Sequence, residues 1–234
     1  MDKMQVIVAV SLLLGISKVN AQQLTGVIEN HPRSKMELVL MPFGMDYPIV
    51  AGTVDQRGQF AVNLDGLDLK NVPNEVQSMF EGELGYSFFF GCNDREEFGL
   101  GFEVPAYRVD YIRMNQGDQW AGTAFLVSDE KLRPWLEDSG YNNAIPGSFF
   151  EVIYVAEEVS IHTACSEQIY VSDEESVEVE YDFQLELKKG FNWVEYEIEE
   201  VFETNPEIRA SFPSKVKIKN PQDLSAIKWV GTYY

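Results

Sequence analysis

Val177-Glu178-Val179-Glu180-Tyr181-Asp182-Phe183-Gln184-Leu185-Glu186-Leu187-Lys188 alternates apolar and polar side chains without a break, and after Lys189-Gly190 the pattern resumes as Val194-Glu195-Tyr196-Glu197-Ile198-Glu199. Successive side chains of a β-strand point to opposite faces, so a period of two puts Val177, Val179, Tyr181, Phe183, Leu185 and Leu187 on a core and the carboxylates in water. The tract reads as two half-buried strands joined at Lys189-Gly190 in an antiparallel hairpin.

Like charges facing one another across such a pair destabilise the sheet, so the carboxylates call for compensation. Lys215, Lys217 and Lys219 alternate with Val216 and Ile218 further along the chain. This basic strand is expected beside the acidic ribbon, giving a charge-paired face of Glu178, Glu180, Glu195, Glu197, Lys215, Lys217 and Lys219. Exposed ion pairs of this kind add little stability each, and the plain reading is a solvated sheet face. Two sharper readings are a calcium site using Asp173-Glu174-Glu175, or a surface for a basic partner. Strand carboxylates point away in parallel and no twelve-residue calcium loop is present, so no metal and no cofactor is expected.

Upstream, short strands separated by turn formers fill residues 24–64, at 24–29, 36–43, 49–54 and 59–64. Gly58 can take a positive φ without a Cβ clash, which lets Asp55-Gln56-Arg57-Gly58 reverse the chain. The order Leu24-Thr25-Gly26-Val27-Ile28, Met36-Glu37-Leu38-Val39-Leu40, Gly52-Thr53-Val54-Asp55 and Gly58-Gln59-Phe60 resembles the first strands of carboxypeptidase-regulatory-like and related β-sandwich modules at the front of exported Gram-negative proteins. The resemblance covers under a fifth of the chain and involves turn and core positions, so it implies a scaffold fold and no activity. Leu185-Glu186-Leu187-Lys188-Lys189-Gly190-Phe191-Asn192 similarly resembles a turn of other exported β-sandwich proteins.

Residues 65–83 depart from that pattern and read as a loop with a short helix. The aromatics Tyr86, Phe88, Phe89 and Phe90 suggest a strand buried on both faces over 84–92, followed by strands at 107–114 and 122–127. Ser128 is positioned to cap a helix with Asp129 and Glu130 in its first turn, and Pro134 fits only near its start. Strands at 149–155 and 159–165 open the second half. The fold class is therefore all-β: two β-sandwich modules, Ig-like or Greek-key, at 22–127 and 149–234, with a helical connector at 128–148.

Residues 1–21 read as a secretory signal: Lys3, an apolar run over 6–16, then Val19-Asn20-Ala21 ahead of a cut before Gln22. The run is too short to span a bilayer, which needs roughly twenty helical residues. No cysteine would stand at the new terminus to take a lipid, so a periplasmic or secreted product with no lasting membrane span is expected. The formal charge of −20 becomes −21 once Asp2, Lys3 and Lys18 leave, which argues against a nucleic-acid partner. Acidity is concentrated: residues 151–207 hold seventeen Asp or Glu against two Lys, whereas 208–234 hold one Asp against five Lys or Arg.

Cys92 and Cys165 are the chain's two cysteines, and each sits in an apolar stretch. An oxidising compartment would let them pair; two separate buried thiols are the alternative. Chemistry-bearing motifs are scarce. His31 and His162 leave little room for a triad or a zinc site, and three positions along a strand put His162 and Cys165 on opposite faces. No nucleophile elbow, zinc helix or phosphate loop occurs. Asn93-Asp94-Arg95-Glu96-Glu97 reads as a polar loop. Core packing is the default for Trp135, Trp193 and Trp229, whereas Trp120, after Asn115-Gln116-Gly117-Asp118-Gln119, is the aromatic residue placed to meet a ligand. The leading expectation is an exported non-enzymatic protein with a binding or structural role in the cell envelope, its partner an envelope protein or a glycan. A carbohydrate-binding or carbohydrate-processing protein and a calcium-dependent adhesion module are the alternatives, and a groove lined by Trp and carboxylates would mark the first of these.

Overall fold

The computed structural model describes residues 23–92, 95–99, 101–172, 175–205, 209–224 and 227–234. The expected signal at 1–21 lies outside the described residues. Strands β1 (Gln23–Val27), β2 (Met36–Leu40), β3 (Ile49–Val54) and β4 (Gln59–Asn63) come first. Helix α1 (Asn74–Phe80), the short β5 (Gly82–Glu83), a 3₁₀ turn (Leu84–Tyr86) and α2 (Arg95–Phe98) follow. Next are β6 (Pro105–Val109), β7 (Ile112–Gln116) and β8 (Gln119–Val127), then a 3₁₀ turn (Glu130–Leu132) running into α3 (Arg133–Glu137). The long strands β9 (Gly147–Val155), β10 (Val159–Tyr170), β11 (Ser176–Leu187) and β12 (Gly190–Phe202) precede β13 (Phe212–Lys219) and β14 (Lys228–Tyr233).

Among the described residues these strands form one hydrogen-bonded sheet, in the order β1-β4-β3-β2-β7-β8-β9-β12-β13-β11-β10. Off this path, β14 pairs with β8, and β6 pairs with β9 and β5. Two hydrophobic clusters lie on opposite faces. Leu38 of β2, Met114 of β7, Phe150 and Val152 of β9, and Phe191 and Trp193 of β12 belong to one cluster. Phe149, Ile153 and Val155 of β9, Val194 and Tyr196 of β12, and the apolar residues of β11 belong to the other. Alternation along β8, β9 and β12 makes these strands apolar on both faces where the clusters overlap. The clusters do not divide at 128–148. Both draw on both halves of the sequence, and strands on either side of that segment are hydrogen-bonded to each other, β6 and β8 to β9 and β14 to β8.

The predicted alternation of β11 is present, with Val179, Tyr181, Phe183, Leu185 and Leu187 buried. The hairpin is not. β11 and β12 are consecutive in the chain but unpaired: β13 lies between them, parallel to β11 and antiparallel to β12. Direct pairing would have set carboxylate against carboxylate, and a lysine strand in between converts those repulsive rungs into attractive ones. The buried Asn192 closes the turn from β11 to β12. Its Oδ1 accepts from Lys188 N at 3.0 Å and its Nδ2 donates to the carbonyls of Lys188 at 2.7 Å and Gly190 at 2.8 Å.

Residues 84–92 are also not a strand. After the 3₁₀ turn the backbone is irregular, so the rings leave it in different directions. Phe88 packs on Phe183, Phe89 on Phe149, and Phe90 stacks on Tyr181. The aromatic density reflects a plug over one core rather than a two-sided strand. The cap at 128–132 shifts by one residue: Asp129 accepts from Lys131 N at 3.0 Å, while Ser128 Oγ accepts from Ser148 N at 2.8 Å and ties the segment to β9. Cys92 and Cys165 form a disulfide with Cα atoms 5.9 Å apart across 73 residues, fastening the aromatic plug to edge strand β10. No helix among the described residues is long and apolar enough to cross a membrane.

Candidate functional site

The β7–β8 hairpin turns at Gly117-Asp118 and delivers Trp120 to the surface, where it is 49% exposed. Its orientation is fixed. The indole N–H donates to the Gly122 carbonyl at 2.7 Å, the Arg113 guanidinium lies 4.4 Å from the ring centroid, and the Tyr234 ring meets it edge-on at 5.0 Å. Such contacts hold an aromatic plane in place before any ligand arrives.

Register extends this plane into a site. Residues directly opposite in antiparallel pairs share a face. Thr53 pairs with Glu37, Glu37 with Asn115, and Asn115 with Trp120, giving one row across β3, β2, β7 and β8. The row lies on the face opposite Met36, Leu38 and Met114, whose side chains enter the core. Beside Thr53, Glu37 and Asn115 of this row runs a groove of about 690 Å³, lined also by Lys35, Asp55 and Asp118; Trp120, next in register to Asn115, stands outside its lining. The groove is the size of a small-molecule or short-oligomer site. The Oδ1 of Asn115 is shielded from solvent and has no hydrogen-bond donor among the described residues. Asp55 Oδ1 is committed to its own turn, accepting from Arg57 N at 2.7 Å and Gln59 N at 3.0 Å. Glu37 and Asp118 are the groove carboxylates without such a commitment among the described residues.

The charged face lies at the other end of the sheet. Lys219 Nζ donates to Glu197 at 2.6 Å and is 3.7 Å from Glu195; Lys217 donates to Glu199 at 2.8 Å; Lys215 is 3.8 Å from Glu199 and 4.0 Å from Glu180. The Lys217 ammonium beside it holds the Glu199 carboxyl below its ordinary range, and Glu199 raises Lys217 in return. Glu178 takes its bond from Ser166 Oγ at 2.8 Å, and Glu195 also accepts from Ser148 Oγ at 2.8 Å. Glu199, part of the alternating pattern but not of the expected charge-paired face, carries two of the lysine pairs from the irregular stretch of β12 between Ile198 and Glu200.

Among the described residues no three His, Cys, Asp or Glu side chains converge as a metal ion requires. Asp173 and Glu174 of the considered calcium loop, and Asn93 and Asp94, lie outside the described residues. Arg95 pairs with Glu83 at 2.8 Å and Glu103 at 3.2 Å. His162 lies on the exposed side of β10, 2.8 Å from Glu186. Trp135, Trp193 and Trp229 are buried in the cores.

The most perturbed carboxyl is one that the sequence reading passed over. Glu151 of β9 is buried on the face shared by Phe149 and Ile153, and desolvation pushes its pKa up to about 8, with Arg108 opposing and Asp110 reinforcing the rise. Tyr196 hydrogen-bonds the carboxyl, its own hydroxyl raised well above the ordinary phenol by the same burial, and Glu151 Oε1 has no partner among the described residues. A lone Glu at an inward position of an otherwise apolar strand was the available signal.

Comparison with protein-family models, with curated proteins and with solved structures found no match.

Proposed function

We propose that this chain is an exported, non-enzymatic binding protein of the cell envelope, and that the groove beside Trp120 takes a glycan. The carrying observation is the row Thr53–Glu37–Asn115–Trp120: hydroxyl, carboxylate and amide groups line an open groove, and a fixed aromatic plane stands next in register to Asn115 at its margin. A sugar presents an apolar ring face and a rim of hydroxyls, and this surface offers a partner for each. The disulfide supports an oxidising compartment, as do the apolar run at 6–16 and the likeness of the first strands to modules of exported proteins. The lysine strand favours a structural role for the acidic face, because its ammonium groups occupy the space between the acidic strands.

Isothermal titration of the oxidised protein against a panel of neutral and acidic oligosaccharides tests the reading. Binding that is lost in Trp120→Ala, with the thermal melt unchanged, is the expected result; a panel without a single binder overturns it. A second reading, glycan cleavage, is favoured by Glu37 and Asp118 sharing the groove, since glycosidases act through paired carboxylates. Release of new reducing ends, abolished in Glu37→Gln, would establish it.

A further inference from the structure

In a chain of net charge −20, Arg33 and Arg57 are among the described cations that have no ion pair with a described residue. Both line a concavity of about 620 Å³, together with Ile28, Glu29, His31 and Gln56. Three features build this concavity. Arg33 is the one described non-glycine residue with a positive φ, 57°, a backbone state that costs about 1 kcal/mol or more for a side chain of this type. His31 is locked, its Nε2 2.5 Å from the Ser34 carbonyl and its Nδ1 3.0 Å from the Tyr233 hydroxyl. Gly58, at φ 79°, lets the β3–β4 turn close tightly on the preceding loop: a Cβ there would lie 2.6 Å from the Ile28 carbonyl oxygen and 3.0 Å from His31 Cβ. The close approach brings Gln56 and Arg57 of the β3–β4 turn into the lining of the same concavity as Arg33.

We propose that this pocket binds an oxyanion, a carboxylate, sulfate or phosphate ester, between the guanidinium groups of Arg33 and Arg57 with the Gln56 amide as a neutral donor. Planar guanidinium forks match the paired oxygens of such groups, and their charge-assisted hydrogen bonds exceed neutral ones. Glu29 is the one carboxylate lining the pocket, and the negative field of the whole protein repels anions, so recognition depends on local donors and not on long-range attraction. Lys35 and Asp55 of the Trp120 groove stand two residues from Arg33 and Arg57. The anionic group is therefore assigned to an acidic sugar unit of the ligand in that groove, an assignment that rests on the glycan reading; the oxyanion pocket itself does not.

The experiment compares an oligogalacturonate, the corresponding neutral galacto-oligosaccharide and inorganic sulfate, the last at constant ionic strength, on the wild-type protein, Arg33→Gln/Arg57→Gln and Trp120→Ala. Both arginines are exposed, and equal thermal midpoints would show that the double variant folds. The acidic oligomer should bind more tightly than the neutral one by about tenfold or more, the worth of charge-assisted hydrogen bonds, and the double variant should erase that preference while keeping neutral binding. Sulfate should shift the amide resonances of residues 56–58 in the wild type alone. A sulfate response that needs both arginines, without binding of either oligosaccharide, would uphold the oxyanion pocket and sink the glycan assignment. If neither sulfate nor oligogalacturonate responds to loss of the two arginines, the pocket is overturned, whatever neutral sugars do.

Discussion

Replacing Glu151 by Gln removes a titration without removing side-chain volume. In the folded protein desolvation raises this carboxyl from 4.5 to about 8, whereas in the unfolded chain it returns to the ordinary value. Between those two values the native state binds the extra proton, so stability falls as pH rises; it is fully present below about 4.5, and the loss levels off above about 8. At about 1.4 kcal/mol per unit the loss reaches about 3 kcal/mol by neutral pH and about 5 kcal/mol on the alkaline side, upper values for a rigid site. The Gln variant carries no such term, and its amide can still accept the Tyr196 hydroxyl. Urea denaturation of both proteins at several pH values from about 5 to about 8.5 gives the difference in unfolding free energy at each. Ionisable groups remote from the site are common to both proteins and cancel, leaving Arg108, Asp110, Tyr111 and Tyr196 as the other ionisable groups facing it. The wild type should start level with Glu151→Gln in acid and fall behind by several kcal/mol above neutrality. A difference that stays constant within about 0.5 kcal/mol across the range, the usual scatter of such comparisons, would refute a desolvated, protonated Glu151.

Reducing the Cys92–Cys165 bridge, or replacing both cysteines by Ala, should cost about 4 kcal/mol in the chain-entropy model for a 73-residue closure, read as a lower melting temperature that dithiothreitol does not change in the double variant. Lys217→Glu places a carboxylate in register with Asp182 on one side and Glu197 on the other; it should destabilise the protein more than Lys217→Gln does, and molar NaCl should narrow the gap between the two variants. Gly52→Ala in β3 would bring a Cβ to 2.0 Å from the Ala61 carbonyl oxygen, so a loss of about 1–3 kcal/mol in denaturant titrations is expected even though the residue lies in an ordinary strand.

Several local features were legible before any coordinates. Period two in 177–187 gave the buried face of β11 residue by residue, because the pleat couples position in the chain directly to side of the sheet. The turn formers around Gly117 marked Trp120 as a surface aromatic, and Gly58 marked a chain reversal. The aromatic run at 86–90 misled: burial density is common to a two-sided strand and to an irregular plug, and composition alone does not distinguish them. Glu151 escaped notice because a single carboxylate in an apolar strand has no periodic signature.

Alternation along the chain determined which side chains share a face, where the carboxylates accumulate, and that lysines at 215, 217 and 219 would be available to answer them. It did not determine which strand lies next to which. That choice is made by energies between segments remote in sequence: burial of Val216 and Ile218 draws β13 into the place between β11 and β12 that the short Lys189-Gly190 turn had suggested would be empty, and Glu against Lys in place of Glu against Glu adds a smaller increment. The same non-local pairing assembled Thr53, Glu37, Asn115 and Trp120 from four strands into one row. Faces follow from the covalent chain, whereas neighbours follow from the free energy of the whole sheet.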